Sequence, residues 1–300
     1  MGNGKGDRLR ELLKAPEVLI LPGGFSPMMA RMVENIGYDT FFMAGSHTGT
    51  YLWGLPDVGF LNMTEMADHA RRVAEGCNIP VIADADTGFG NALNVYRGVR
   101  EYARTGVAGM TIEDKEAPKK GQGRQTCISA EEAIGKYKAA AAARDEVGSD
   151  LVIFARCDFI RAEGGSFEAA LDRCIRYAEE GGADAVWMTG IPSREQIKEA
   201  SAKIPVPLLA GYGGPRPGPT VDEMQELGAS AALYRSLTID AGLQAQWEFL
   251  NDFKERGAEA EEDWAQRAKD SKWGRVSNDS LLQLNHKDIE ALEEKYLPKA

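Results

Sequence analysis

Short apolar runs recur along most of the chain, each stopped by glycine, proline or a charged group and each followed by a stretch of helix length with amphipathic spacing. The runs at Val18–Leu21, Thr40–Met43, Val81–Asp84, Gly109–Glu113, Leu151–Arg156, Ala185–Met188, Pro207–Ala210 and Ala231–Tyr234 predict strands, and helices are expected at Arg8–Lys14 and Ser26–Gly37 among others. Eight strands alternating with helices imply a parallel sheet closed into a (β/α)8 barrel, the TIM barrel of the α/β class, whose functional groups gather at the C-terminal strand ends. Past residue 240 the sequence turns charged, helical and tryptophan-dotted, and it ends in good helix formers at Lys287–Tyr296. The expected organisation is therefore a catalytic barrel over residues 1–240 and a helical extension over 241–300. Trp247, Trp264 and Trp273 need cover that so short a segment cannot supply, so the extension is expected to pack on the barrel or on a neighbouring subunit.

Chemistry should sit just after each run. The third run ends in Asp84-Ala85-Asp86-Thr87-Gly88-Phe89-Gly90, two carboxylates one residue apart followed by glycines. Alternate residues of a strand share a face, so the two carboxylates are expected to project together. Such a pair either binds a hard divalent ion such as Mg2+ or Mn2+, or one member caps the next helix. The fourth run ends in Glu113-Asp114-Lys115 and the fifth in Arg156 with Asp158 beyond it. Three carboxylates and an arginine on one rim point to a metal and anion site, because scattered surface charge would not select strand ends. The remaining ends are Gly45-Ser46-His47, Thr189-Gly190, Gly211-Tyr212 and Tyr234-Arg235. His47 reads as a general base or as a solvent-facing loop histidine, and Tyr212 as a proton donor or as a cover over the pocket. Arg235 reads as a clamp for a distal carboxylate or as a pair for Asp240. Between Asp114 and Ser129 runs a polar, glycine-rich loop carrying Lys119, Lys120 and Arg124, too long for a minimal turn and thus a candidate lid. Its cations are expected to be solvated when the lid is open and to close over an anionic ligand.

Composition narrows the classes. The 300 residues are 43% hydrophobic and 27% charged, with a formal net charge of −11. That balance argues against nucleic acid or an anionic membrane as partner and leaves a small carboxylate as the expected one. Cys77, Cys127, Cys157 and Cys174 lack C-x-x-C spacing and read as reduced and packed, so no zinc site is implied and a cytoplasmic location is expected. The first residues lack an apolar signal core, and no run approaches a membrane span.

Four segments, in order, carry a resemblance: Gly54-Leu55-Pro56-Asp57-Val58-Gly59, Asp84-Ala85-Asp86-Thr87-Gly88-Phe89-Gly90, Ile112-Glu113-Asp114-Lys115 and Ala155-Arg156-Cys157-Asp158. They resemble the isocitrate lyase and phosphoenolpyruvate mutase superfamily, in the branch with methylisocitrate lyase, dimethylmalate lyase, oxaloacetate decarboxylase and carboxyphosphonoenolpyruvate mutase. The resemblance implies a barrel with a C-terminal helix swapped between subunits of a homotetramer. It implies Mg2+ at Asp84, Asp86 and Glu113, with Asp57 in the water shell of the ion. It also implies a 2-oxo or 2-hydroxy acid whose carboxylate is held by amides near Gly45-Ser46 and by Arg156.

Departures from that pattern are equally informative. Family lyases carry K-[KR]-C-G-H on the gating loop, with the Cys as acid, where this chain has Lys119-Lys120-Gly121-Gln122-Gly123. Phe42 stands for a tyrosine, Ala44 for a serine, Thr189 for a Glu or His, and Gly211 for an Asn. The metal half survives and the proton-transfer half does not, so either the reaction needs few proton transfers, as decarboxylation does, or His47, Tyr212, Lys119 or Lys120 substitute. Phe42 and Trp187 are expected to make the pocket walls aromatic. A metal-dependent lyase or decarboxylase of a small oxo acid fits best. A hydrolase or mutase acting on a C–C or C–P bond, with Thr189 as the candidate group, and a non-catalytic binder are the alternatives.

Overall fold

The apolar runs become strands because each is buried on both faces, between a barrel interior and a surrounding layer of helices. In the computed structural model, which describes residues 4–119, 125–274 and 276–298, the strands are β1 Leu19–Gly24, β2 Phe41–Met43, β3 Val81–Asp84, β4 Gly109–Glu113, β5 Val152–Cys157, β6 Ala185–Ile191, β7 Leu208–Tyr212 and β8 Ala231–Tyr234. All pair in parallel in chain order, and β8 returns to β1 to close the barrel. This is the predicted (β/α)8 architecture.

Inside, alternate residues of successive strands form one cluster: Leu21, Phe42, Ile82, Phe154, Trp187 and Leu209, with Leu9 and Leu13 of the helix Lys5–Lys14 among them. A Cβ on Gly109 would come within 3.1 Å of Leu9, so glycine at the start of β4 lets this first helix close the N-terminal end. The same alternation carried two residues further, from Ile82 to Asp84 and from Phe154 to Arg156, turns the interior columns polar at the other end. Outside, helices start on the caps their sequences advertise. Ser26 accepts from Met29 N with Pro27 at the first helical position, and Asn62 and Asn91 form reciprocal capping boxes with Glu65 and Asn94.

The chain divides into two compact units, Met1–Arg235 and Ser236–Ala300. The second holds the helices Asp240–Arg256, Ala258–Lys269, Asn278–Leu281 and His286–Tyr296, with Phe249 packed against Trp264 at 5.4 Å. Within the single chain Trp247 is 68% exposed and Trp273 82%. Trp247 lies on a helix none of whose residues is buried within the single chain. Among the described residues, no helix is long and apolar enough to cross a membrane.

Candidate active site

Asp84 closes β3 and is buried. Its Oδ2 accepts from Gly45 N (3.2 Å) and its Oδ1 from Asp86 N (3.0 Å) and Thr111 Oγ1 (3.2 Å). A Cβ at Gly45 would stand 2.9 Å from that Oδ2, so the turn after β2 must be glycine to approach. The Gly45 amide, expected to hold a substrate carboxylate, orients Asp84 instead. Asp86 lies past the strand in the left-handed region, φ 53°. Its convergence with Asp84 therefore comes from a side-chain-capped turn and not from strand alternation, which corrects the sequence argument.

Lys119 is drawn in among the rim carboxylates. Its side chain is 9% exposed and its ammonium lies 2.6 Å from Asp57 Oδ1, 2.8 Å from Asp86 Oδ1 and 3.5 Å from Glu113 Oε1. Buried carboxylates gathered this closely need positive charge among them, and the lysine supplies it. Lys120 through Arg124 lie outside the described residues.

Glu113, at the end of β4, is fully buried. Burial alone would raise its carboxyl, but Arg156, Lys119 and Lys115 overcome that and hold it down at about 2. Asp86 goes the other way: burial, aided by Glu113 and Asp84, outweighs Lys119 and pushes it up to about 7. Arg156, on β5, reaches Glu113 Oε2 at 3.1 Å, Asp158 Oδ2 at 2.7 Å and Asp84 Oδ2 at 4.0 Å, and its guanidinium lies 4.3 Å from the Trp187 ring centroid. Phe42 meets that indole edge-on at 5.6 Å. Both aromatics are packed in the barrel interior, so they floor the site and do not line an open wall.

Two members of the cluster were read at strand ends in the sequence without a role. Lys115 Nζ lies 3.5 Å from both Glu113 and Asp158, and Asp158 Oδ1 accepts from Thr189 Oγ1 at 2.9 Å. Thr189 is thereby committed to Asp158. Among the described residues, the carboxylates of Asp57, Asp84, Asp86, Glu113 and Asp158 face Lys115, Lys119 and Arg156, a formal excess of two negative charges. His47 is half-buried with its ring edge-on to Tyr51 at 6.0 Å. Tyr212 donates its hydroxyl to Pro215 O at 2.9 Å, and Arg235 is exposed just past β8, its carbonyl tight against Gly23. Ala44 is buried behind Gly45, and Ser46 is half-buried in the same turn. Gly211 must lack a side chain, since a Cβ would stand 2.9 Å from Met188 O and 3.2 Å from Trp187 Nε1.

Among the described residues, no three His, Cys, Asp or Glu side chains are drawn round one point closely enough to hold a metal as they stand. Lys119 accounts for this by occupying the middle of the set. Yet Asp86 Oδ1 and Glu113 Oε1 are buried without a directed hydrogen bond, meeting the ammonium only as charges. Oxygen donors of this kind, with two charges unbalanced, are the set that hard divalent ions take. A cavity of about 790 Å³ shares Asp86 and Lys119 with the cluster, but its lining includes neither Arg156, Trp187 nor Thr189, so it adjoins the rim site.

Burial and then Asp114 push the Cys127 thiol far up, and Cys157 is raised likewise by its burial. Cys127→Ser is expected to keep most activity, checked by kcat/KM; a loss beyond about tenfold would restore a thiol mechanism.

Comparison with known proteins gives the same direction. The family model for phosphoenolpyruvate phosphomutase matches residues 9–252. A 2,3-dimethylmalate lyase of Eubacterium barkeri is 39% identical over 243 residues, 79% of this chain and 82% of that protein. An oxaloacetate decarboxylase of Pseudomonas fluorescens is 37% identical over 209 residues, 69% of this chain and 70% of its own. A solved structure of oxaloacetate acetylhydrolase with its product oxalate superposes with TM-score 0.77 at 31% identity, covering 84% of this chain and 88% of the other.

Proposed function

Since this chain belongs to the phosphoenolpyruvate phosphomutase family, whose relatives make it a carbon–carbon lyase, we propose that it acts on a small 2-oxo or 2-hydroxy carboxylic acid through an enolate and depends on a divalent cation. The observation that carries this is the buried rim of Asp84, Asp86 and Glu113 with Arg156, left with excess negative charge. Asp84, Asp86 and Glu113 would hold Mg2+ or Mn2+, with Asp57 reaching it through water. When bound, the ion supplies a Lewis acid for the negative oxygen that forms when a bond to C3 breaks.

The protein's own groups do the rest. Arg156, its guanidinium 4.3 Å over the Trp187 ring and bridging Glu113 and Asp158, supplies the positive charge that would meet the substrate carboxylate. Lys115 and Lys119 bring further positive charge, and the packed floor of Phe42 and Trp187 excludes water below the reacting carbon. Loss of CO2 from a β-oxo acid needs only this electron sink, whereas retro-aldol cleavage needs a base and an acid as well. With Thr189 committed to Asp158 and Tyr212 to Pro215, decarboxylation is the reaction the site serves most directly. Hydrolytic C–C cleavage is the second reading, favoured by the likeness to oxaloacetate acetylhydrolase. The reading includes a cytoplasmic homotetramer with exchanged C-terminal helices, which sedimentation would test.

The deciding experiment is a panel of small 2-oxo and 2-hydroxy diacids, oxaloacetate and methyl-substituted malates included, with Mg2+ and in water enriched in 18O. Turnover lost in excess EDTA supports the proposal, and full turnover in EDTA removes it. Label in a new product carboxylate selects hydrolysis.

Lys119→Ala should separate two roles of the ammonium. It is expected to tighten Mn2+ binding about tenfold, because a competing charge leaves the carboxylates, while lowering kcat/KM about a hundredfold. Isothermal titration and steady-state kinetics check the two halves.

A further inference from the structure

Asp114 follows Glu113 yet turns away from the rim. It is 1% exposed, and a carboxylate so buried persists only where donors surround it. Here every side-chain partner is a donor. Oδ1 accepts from Asp158 N at 2.9 Å and from Cys127 Sγ at 3.5 Å, and Oδ2 accepts from Tyr177 Oη at 2.8 Å and from Arg173 Nη1 at 3.4 Å. Those donors come from three separate places: the exit of β5, the returning limb of the loop, and the helix Phe167–Glu179. The backbone repeats the pattern, for Asp114 N donates to Arg156 O at 3.1 Å and Asp114 O accepts from Ile128 N at 2.9 Å.

Above this anchor the two limbs of the loop form a short neck. Lys115 and Cys127 make an antiparallel bridge, and Glu116 N donates to Thr126 O at 3.0 Å. Arg173 fastens the returning limb a second time through Ile128 O at 2.9 Å. Both lysines of the rim cluster ride on the outgoing limb of this neck, Lys115 one residue and Lys119 five residues from the anchor.

We infer that Asp114 is a positioning residue: its buried carboxylate locks the neck of the loop onto the exit of β5, and so delivers Lys115 and Lys119 in register to the carboxylates that flank Arg156. The geometry stands without the proposed reaction, and only the activity arm below rests on it. A carboxylate that served packing alone would affect the fold as a whole. One that fixes the neck governs this segment selectively.

Cys127 allows the two to be told apart, because it is half-buried on the neck while Cys77, Cys157 and Cys174 are buried elsewhere. The test is Asp114→Asn in the full chain, alkylated under native conditions with iodoacetamide and read per cysteine by mass spectrometry, alongside limited trypsin digestion. The expected result is faster cleavage after Lys115 or Lys119, and Cys127 labelling at least tenfold faster with the other three unchanged. Because loss of the Asp114 charge also frees the adjacent thiol, the labelling counts for the neck only if it also rises in Tyr177→Phe, which keeps that charge. Tyr177→Phe, which removes one of the four donors, should shift both readouts the same way by a smaller factor, and it serves alone if Asp114→Asn fails to fold. Cys127 labelling at the wild-type rate, or all four cysteines accelerating together, overturns the inference. Where wild-type enzyme decarboxylates oxaloacetate with Mg2+, kcat should fall at least tenfold in Asp114→Asn, and an unchanged kcat also overturns it. Where wild type shows no such turnover, the reaction proposal fails by itself and the labelling and digestion arms decide.

Discussion

Glu113→Gln is expected to lower kcat/KM by about three orders of magnitude and to abolish tight divalent-ion binding. The substitution keeps the shape and removes the charge at the most buried point of the rim, where Arg156 stands at 3.1 Å and Lys115 and Lys119 at 3.5 Å. A neutral amide is a poor oxygen ligand beside two aspartates, and it returns an N–H donor toward three cations that want an acceptor. The variant should also change acid sensitivity. Glu113 has its folded carboxyl lowered to about 2 from 4.5, so its contribution to stability is present above 4.5 and is lost as the pH falls toward 2. Urea midpoints of wild type and Glu113→Gln should therefore converge on acidification, and steady-state kinetics at neutral pH should show the activity loss. Retention of more than a tenth of wild-type activity would remove Glu113 from the ion-binding set.

Arg156→Met is expected to be the more damaging change to the fold. The guanidinium touches Glu113 and Asp158 at 3.1 and 2.7 Å, and both carboxylates are buried. Removing one partner of a buried ionic cluster leaves uncompensated charge, a loss of about 3–5 kcal/mol. Activity should fall by at least about a thousandfold, since the substrate carboxylate loses its clamp along with the cluster. Arg156→Lys separates the two effects: a lysine restores charge, but not the fork or the flat contact over Trp187 at 4.3 Å. It should recover most of the stability and little of kcat/KM, measured by denaturant unfolding and by kinetics. Equal recovery of both would mean that the charge alone matters.

The barrel was legible because its strands are buried on both faces and therefore written as unbroken apolar runs. Val81–Asp84, Gly109–Glu113 and Ala231–Tyr234 begin and end where the runs do. The rim carboxylates were legible for the same reason, since a charge at the end of such a run has only the barrel mouth to enter. Lys115 and Asp158 carried a signal that went unused. Each lies two residues past a rim residue, Glu113 and Arg156, so strand periodicity places them on the same side. Lys119 was named as a lid cation and a catalytic candidate, but its burial carried no signal. Its burial depends on Asp57, 62 residues earlier, and on a charge balance that only the assembled rim defines. The turn at Asp86 was equally opaque, because a left-handed aspartate stabilised by its neighbour's carboxylate reads in sequence like one more strand residue.

The most direct measurement is a Mn2+ titration of the full chain followed by electron paramagnetic resonance, in wild type, Glu113→Gln, Asp86→Asn and Lys119→Ala. One ion per chain in wild type, weakened at least tenfold in the two carboxylate variants and tightened in Lys119→Ala, is the predicted result. No bound Mn2+ in wild type, or binding that Glu113→Gln and Asp86→Asn leave unchanged, would contradict it.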